Sequence, residues 1–329
     1  MATSTHSPPS PAPAQPQLSV VITTHKALDY LRLCVESIFT NARLPVEIVI
    51  YADGSPDSTR VYLEELAGRK ELDQEHFWLR ARYEAQNVGI TRATNRAAAL
   101  ATAPWLYFVN DDMVFAPDFD AALLREAAPG RVLTGTMVEP VRENMGVDRH
   151  HIKANFGLRA EEFDWERWQS EAPRLASPAV EPGLCYPFCV ERELYYRVGA
   201  IDERFDGPSH DPDLFYRFIL AGAEAVRVKG SLCYHFSGRS LRFEGDRPVV
   251  SPRWIEQELQ GRIMFLRKWG EDARLGPGGV PQPAAPAPDA AHSWPQRVSV
   301  ALNCWRLRRK MARRLKRARA ATGSTAGRA

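Results

Sequence analysis

Two adjacent carboxylates, Asp111 and Asp112, follow Asn110 at the end of the apolar run Trp105 to Val109 and precede Met113-Val114-Phe115. Like charges at the end of a buried strand repel, and they are best tolerated where a cation or water satisfies them. Carboxylate oxygens suit Mg²⁺ or Mn²⁺, and Mg²⁺ typically takes one or two of them plus substrate phosphates. The alternative is a solvated turn in which Asp112 caps the next helix. Three more polar loops follow apolar runs: Thr23-Thr24-His25, Asp53-Gly54-Ser55, and Asn87-Val88-Gly89 with Arg92. Asp53 can accept a hydrogen bond from a nucleobase imide N–H, and Gly54 permits close backbone approach. Arg92, at the start of a helix, can reach a diphosphate. Taken alone, Asp53-Gly54 reads more simply as a plain turn.

Strands and helices must hold these loops together. Leu18 to Thr23 and Val46 to Tyr51 are β-branched runs that predict buried strands, with further strands at Phe77 to Ala81, at Trp105 to Val109 and at Val132 to Met137. Between them, helical spacing covers Leu28 to Thr40, a segment capped by Ser58 and ending near Ala67, Ile90 to Ala101, and a stretch from Pro117-Asp118 to about Ala128. This alternation predicts an α/β fold, a mostly parallel Rossmann-like sheet flanked by helices. The four loops then share one sheet edge, the carboxyl ends of the strands where ligands bind in such folds, and they outline a nucleotide-sized pocket. From Val138 to Glu181 the periodicity fades into what reads as an irregular insertion containing Arg149-His150-His151, Trp165 and Trp168. The His pair has no carboxylate at ligand spacing and reads as acceptor-side or solvated. Strands at Leu184 to Val190 and Ala225 to Val228, and helices at Glu191 to Val198, Asp211 to Ala221 and Pro252 to Trp269, complete the body.

The ordered combination Ser19-Val-Val-Ile-Thr-Thr-His25, Ala52-Asp-Gly-Ser55, Asn87-x-Gly-x-x-x-Ala93-x-Asn95 and Asn110-Asp-Asp112 resembles the family 2 glycosyltransferases of GT-A fold, rhamnosyltransferase-like members included. The resemblance spans about Leu18 to Ser240. It implies an inverting, metal-dependent transfer of a sugar from a nucleotide diphospho-sugar to a hydroxyl acceptor, of the EC 2.4 type, in cell-surface polysaccharide or glycolipid assembly. Thr23, His25 and Asp53 would hold the nucleoside, Asn87 and Arg92 would belong to the donor site, and Asp111 would face the ribose or sugar. Asp112 would hold Mg²⁺ or Mn²⁺. The family pattern has Asp-Asp-Gly-Ser where this chain has Ala52-Asp53-Gly54-Ser55. Gly199-Ala-Ile-Asp-Glu-Arg-Phe205 with Ser209-His-Asp-Pro-Asp-Leu214 resembles the segment that supplies the family's proposed base, which maps to Asp211. His210 replaces a Glu of the pattern. Asp213 is the alternative base, or a brace for its helix. Tyr234-His235-Phe-Ser-Gly238 resembles a late His motif, so His235 either completes the metal shell beside Asp112 or is a satisfied core histidine. Arg239 and Ser240 are phosphate contacts or surface residues.

The composition agrees with a globular protein: 329 residues, 44% hydrophobic and 25% charged. No apolar run approaches the roughly 20 residues of a membrane-spanning helix. Five scattered cysteines fit a reducing cytoplasm, and Cys185 and Cys189 read as core packing rather than a zinc site. Residues 1–17 read as a disordered leader, 18–270 as the catalytic domain (18–137 the nucleotide-sugar half, 138–270 the acceptor half), 271–293 as a Gly/Pro/Ala linker, and 294–329 as a basic amphipathic tail. The net charge of +3 hides an asymmetry: the tail holds eleven Lys/Arg and no acid, leaving 32 bases against 40 acids in the body. Val300, Cys304, Leu307, Met311 and Leu315 follow helical spacing in the tail, so an anionic membrane surface is its expected partner, with the protein cytoplasmic and peripheral on the inner face of the membrane. The acceptor is expected to be a glycan or lipid-linked, and no nucleic-acid partner is expected. Two other classes remain: a sugar nucleotidylyltransferase, against which stands the lack of a Gly-rich basic loop after the first strand, and a non-catalytic nucleotide-sugar or lipid-binding module.

Overall fold

The computed structural model of the chain describes residues 15–69, 76–141, 150–205, 207, 209–237, 242–244, 247–249, 251–284 and 293–325. Most of the expected leader, and Arg239 and Ser240, lie outside them. The first part runs β1 (Leu18–Thr24), α1 (Leu28–Asn41), β2 (Val46–Asp53), α2 (Asp57–Ala67), β3 (Phe77–Glu84), α3 (Ile90–Leu100), β4 (Trp105–Asn110), β5 (Met113–Phe115), α4 (Phe119–Leu124) and β6 (Arg131–Glu139). It continues through β7 (Ile152–Lys153), α5 (Trp165–Leu175), β8 (Val180–Pro182), β9 (Phe188–Glu191), α6 (Arg192–Arg197), α7 (His210–Leu220), β10 (Glu224–His235), α8 (Pro252–Trp269) and α9 (Trp294–Thr325).

The sheet order is β3-β2-β1-β4-β9-β6-β10-β5, with β7 on β6 and β8 on β10. β3, β2, β1 and β4 are parallel neighbours. β9 is antiparallel to both β4 and β6, and two reversals restore the direction, so β6 and its parallel neighbour β10 run the same way as β4. The carboxyl ends of β1, β2, β4, β6 and β10 therefore share one edge. β1 and β2 are apolar on both faces because both are covered, as parallel strands require. One core lies under α1 and α2, around Val20, Ile22, Leu31, Val35, Ile48 and Leu66. The other lies under α3, α6 and α7, around Val21, Val49, Phe108, Leu194 and Leu214.

Several expectations change. Ser58 does not cap α2; the helix begins at Asp57, behind Pro56. α4 starts at Phe119 and is one and a half turns long, because Asp118 sits in the left-handed region at φ 61°. The insertion is not irregular: α5 is capped by Asp164, which accepts from the Arg167 backbone N–H. Its Trp168 is fully buried against Phe156 and Tyr234. The strand expected at Ala225 to Val228 extends to His235 across a register shift between Val228 and Leu232. The linker is partly built as well, since Leu275 bridges Pro281 and the Gly278 carbonyl accepts from the buried Arg227. The apolar stripe of the tail is not open to a membrane. Val300, Cys304, Leu307 and Met311 pack on Ile255, Ile263 and Leu266 of α8. Among the described residues no helix is long and apolar enough to cross a membrane.

Candidate functional site

A cavity of about 380 Å³ opens at the shared strand edge. Its walls include Thr23 and His25 after β1, Asp53 at the end of β2, Asn87 before α3, Asp111 and Asp112 after β4, and His235 at the end of β10. The four loops and the late histidine thus meet in one place. Arg92 and Asp211 do not line this cavity.

The β2 end is tied to α3 through Asp53. Its two carboxylate oxygens accept from the backbone N–H groups of Val88 at 2.7 Å and Gly89 at 3.1 Å. Its carbonyl oxygen lies 2.6 Å from His25 Nδ1, which fixes the proton on that nitrogen, and also accepts from the Asn87 amide at 3.3 Å. Asp53 therefore builds the wall as well as lining it. Arg92 projects from α3 and is half exposed, its Nε 3.6 Å from Glu203. The structure gives it an acidic partner away from the cavity.

The carboxylate pair is anchored by the next strand. β5 turns back antiparallel to β10, pairing Met113 with His235, and the Phe236 N–H donates to the Asp112 carbonyl. His235 Nε2 then lies 3.5 Å from Asp112 Oδ1. On its other side, Nδ1 is 3.1 Å from Oε1 of Glu139, at the end of β6. Glu139 is the centre of a buried network, bonded also by His151 at 2.9 Å, by Lys153 at 2.8 Å and by the Ser237 hydroxyl. Burial opposes the charge on Glu139, but these donors outweigh it and hold the carboxyl well below its ordinary range. Burial also opposes charge on His235, yet Asp112 and Glu139 push it up to about 10. Of the two readings of His151, the solvated one is corrected: the ring is half-buried and bonded to Glu139. His150 lies 3.7 Å from Glu181.

Glu139 escaped the sequence reading, although the signal was there. It ends an apolar strand on the same edge, as Asp111 and Asp112 do.

The donor set fits a divalent cation. Asp112 offers carboxylate oxygens and His235 an imidazole nitrogen across a 3.5 Å gap at the cavity wall, a mixture compatible with Mn²⁺ or Mg²⁺. Glu139 behind the imidazole is the carboxylate–histidine arrangement that orients a ligating ring. Metal and proton would compete for the same ring nitrogen. Among the described residues no cluster of three or more His, Cys, Asp or Glu surrounds a common point. Two side chains would therefore leave most positions to phosphate oxygens and water.

Asp211 sits in the first turn of α7, about one-third exposed, 3.0 Å from His210 Nε2. Burial raises the Tyr186 pKa, and the charges of Asp211 and Asp111 add to that rise. Asp213 is a brace. It is fully buried, with Arg217 at 2.9 Å, Lys268 at 2.7 Å and the Trp269 indole N–H at 2.9 Å, and it locks α7 to α8.

The chain's relatives agree with this architecture. The putative glycosyltransferase EpsH of Bacillus subtilis (strain 168) is 25% identical over 181 residues, half of this chain and 51% of that protein. The chain thus spans about half of that relative's length. Among solved structures, GalNAc-T7 with UDP, GalNAc and Mn²⁺ superposes with a TM-score of 0.54 at 17% identity, over 78% of this chain and 48% of that one. The mannosyltransferase PcManGT from Pyrobaculum calidifontis, in complex with GDP-Man and Mn²⁺, gives 0.50 at 17% identity, over 96% of this chain and 77% of that one. At such identities the likeness concerns the fold, which is the GT-A arrangement. The family model of glycosyl transferase family 2 matches residues 19–195, more than half of the sequence and all four polar loops, and the chain belongs to that family.

Proposed function

We propose that this protein transfers a sugar from a nucleotide diphospho-sugar to a hydroxyl of a glycan or lipid-linked acceptor, with inversion, in surface polysaccharide or glycolipid assembly. One observation carries the reading. Asp112 and His235 converge at a cavity whose wall also includes His25, Asp53 and Asn87. The nucleoside half of the donor lies on that wall, where Thr23 and His25 offer polar atoms and Asp53 keeps lone pairs for a base N–H. The diphosphate lies over Asp112 and His235, and Asp111 faces the ribose or sugar. A bound Mg²⁺ or Mn²⁺ supplies charge neutralisation of the leaving diphosphate. Glu139 holds the His235 ring in place from behind. The acceptor oxygen attacks the anomeric carbon from the side opposite the diphosphate, its proton passes to Asp211, and the bond to the diphosphate oxygen breaks with the electron pair leaving on the nucleotide. A carboxylate in the first turn of α7, at the position that the family segment assigns to its base, supports that assignment. Arg92 acts on the diphosphate only by exchanging Glu203 for it.

Calorimetry with UDP, GDP and dTDP, each with and without Mn²⁺, tests the reading and names the base. Asp112→Ala is expected to remove the Mn²⁺-dependent part of binding and to abolish transfer. Asp211→Asn is expected to bind nucleotide like wild type and to lose transfer by about 10²-fold or more, the usual worth of a positioned base. Full transfer by Asp211→Asn overturns the base assignment, and no nucleotide binding at all overturns the enzyme.

A further inference from the structure

The helix α9 has two apolar stripes, and only one of them is covered. Val300, Cys304, Leu307 and Met311 face α8. Val298, Leu302 and Trp305 each stand two positions before one of these, and two positions turn a helix by about 200°. They point the other way, in line with Trp294. Their exposures are 77% for Trp294, 40% for Val298, 50% for Leu302 and 54% for Trp305. Farther along the same outward line come Arg309, whose guanidinium lies 4.7 Å over the Trp305 ring, and Lys316. Arg306, Arg308 and Arg313 flank it and are exposed, and no acid occurs anywhere in the helix.

We propose that the outward face of α9 docks on an anionic lipid bilayer. The arrangement matches the two layers of that surface. Tryptophan and aliphatic side chains suit the headgroup–acyl boundary, where an indole keeps its N–H wet while its ring is buried. Arginine and lysine suit the phosphates just above it, and their stems reach along the apolar surface. Charge complementarity also selects against a second copy of this chain, because two α9 faces brought together would set arginine against arginine. The proposal replaces the stripe that sequence periodicity suggested with its opposite, because the first stripe is spent on α8. It does not depend on the transfer reaction.

The test is co-sedimentation of the full chain with vesicles of phosphatidylcholine alone and with vesicles containing roughly one-third phosphatidylglycerol. Wild type is expected to bind the second and not the first, with a blue shift of tryptophan emission and with binding weakened by added salt. The double variant Trp294→Ser/Trp305→Ser leaves the charge unchanged and replaces exposed side chains. It is expected to bind about tenfold more weakly or worse, with the helical signal unchanged. Arg309→Glu/Lys316→Glu is expected to lose binding as well. Equal binding by the tryptophan variant, or none by wild type, overturns the proposal. Tighter retention of wild type by a short duplex DNA than by the anionic vesicles, indifferent to the tryptophans, assigns the face to nucleic acid and overturns it too. A dimer in sedimentation equilibrium that the tryptophan variant dissolves does the same in favour of a second copy.

Discussion

His210 occupies a position where the family pattern has a glutamate, and its surroundings fix its charge. Nδ1 is 2.8 Å from the Gly207 carbonyl oxygen and Nε2 is 3.0 Å from the Asp211 carboxylate. An imidazole with an oxygen acceptor at each nitrogen is satisfied only when both nitrogens carry protons. Burial pushes its pKa down, but the Asp211 carboxylate more than reverses this and takes it up to about 9. The folded-state value is above the ordinary 6.5, so the stabilisation is complete below about pH 6.5 and is lost as pH rises through about 9. The effect is on the order of 3 kcal/mol at most, at roughly 1.4 kcal/mol per pKa step. Thermal denaturation between pH 6.5 and 9.5 is expected to show this loss in wild type and a flatter profile in His210→Asn; parallel profiles count against the ion pair. The sequence revealed the substitution but not this consequence, which depends on the Gly207 carbonyl closing on the ring. Asp53, Asp112 and His235 were legible because each ends an apolar run. Glu139 does too, but the pattern beyond it fades, and its importance comes from four donors drawn from β7, β10 and the loops beside them. Arg92 stands at a helix start as its spacing implies, but outside the cavity lining and 3.6 Å from Glu203, a neighbour that the sequence did not reveal.

At the scale of elements, the β2 end depends on how closely the chain passes itself. Gly54 has φ +62°, and a Cβ there would fall 2.5 Å from the Asn87 backbone nitrogen. Both the left-handed backbone and the contact exclude a side chain. Gly54→Ala is expected to cost about 1–3 kcal/mol and to push Asn87 and the Val88–Gly89 amides off Asp53. Nucleotide affinity is then expected to fall together with the melting temperature. An unchanged melting temperature and affinity would show that the loops approach less closely. Strands whose both faces are buried were readable from composition alone. β10 was read short because Lys229, Gly230 and Ser231 interrupt its apolar run, and those residues lie where the register shifts. α5 is hard to read because Pro173 and the charged residues Glu166, Arg167, Glu171 and Arg174 interrupt the stripe of Trp165, Trp168, Ala172 and Leu175; Trp168 reaches the interior, where its indole N–H donates to the Phe115 carbonyl at 3.2 Å.

For the whole molecule, the question is what fastens the C-terminal helix to the body. Among the described residues, ion pairs cross from α9 to α8 at Arg314–Glu258, 2.9 Å, and at Arg319–Glu256, 3.1 Å. Both involve partly exposed arginines, and such pairs contribute only about 0–1 kcal/mol each. The apolar stripe contributes more, since truncating a buried Leu or Met typically costs about 2–5 kcal/mol. The periodicity of Val300, Cys304, Leu307 and Met311 was legible in the sequence, but not its partner, because a stripe reads the same whether a helix or a lipid covers it. Only Ile255, Ile263 and Leu266, on a helix with its own complementary stripe, decide the matter. Met311→Ala, at a fully buried position, is therefore expected to lose about 2–4 kcal/mol, and Arg314→Ala less than about 1 kcal/mol. Leu302→Ala, half exposed on the outer face, is expected to stay within roughly 0.5 kcal/mol of wild type. Denaturant unfolding of the three variants ranks them. If Arg314→Ala costs more than Met311→Ala, charge rather than packing seats α9, and raised salt should then loosen the helix from the body, whereas a seat made by packing is insensitive to salt.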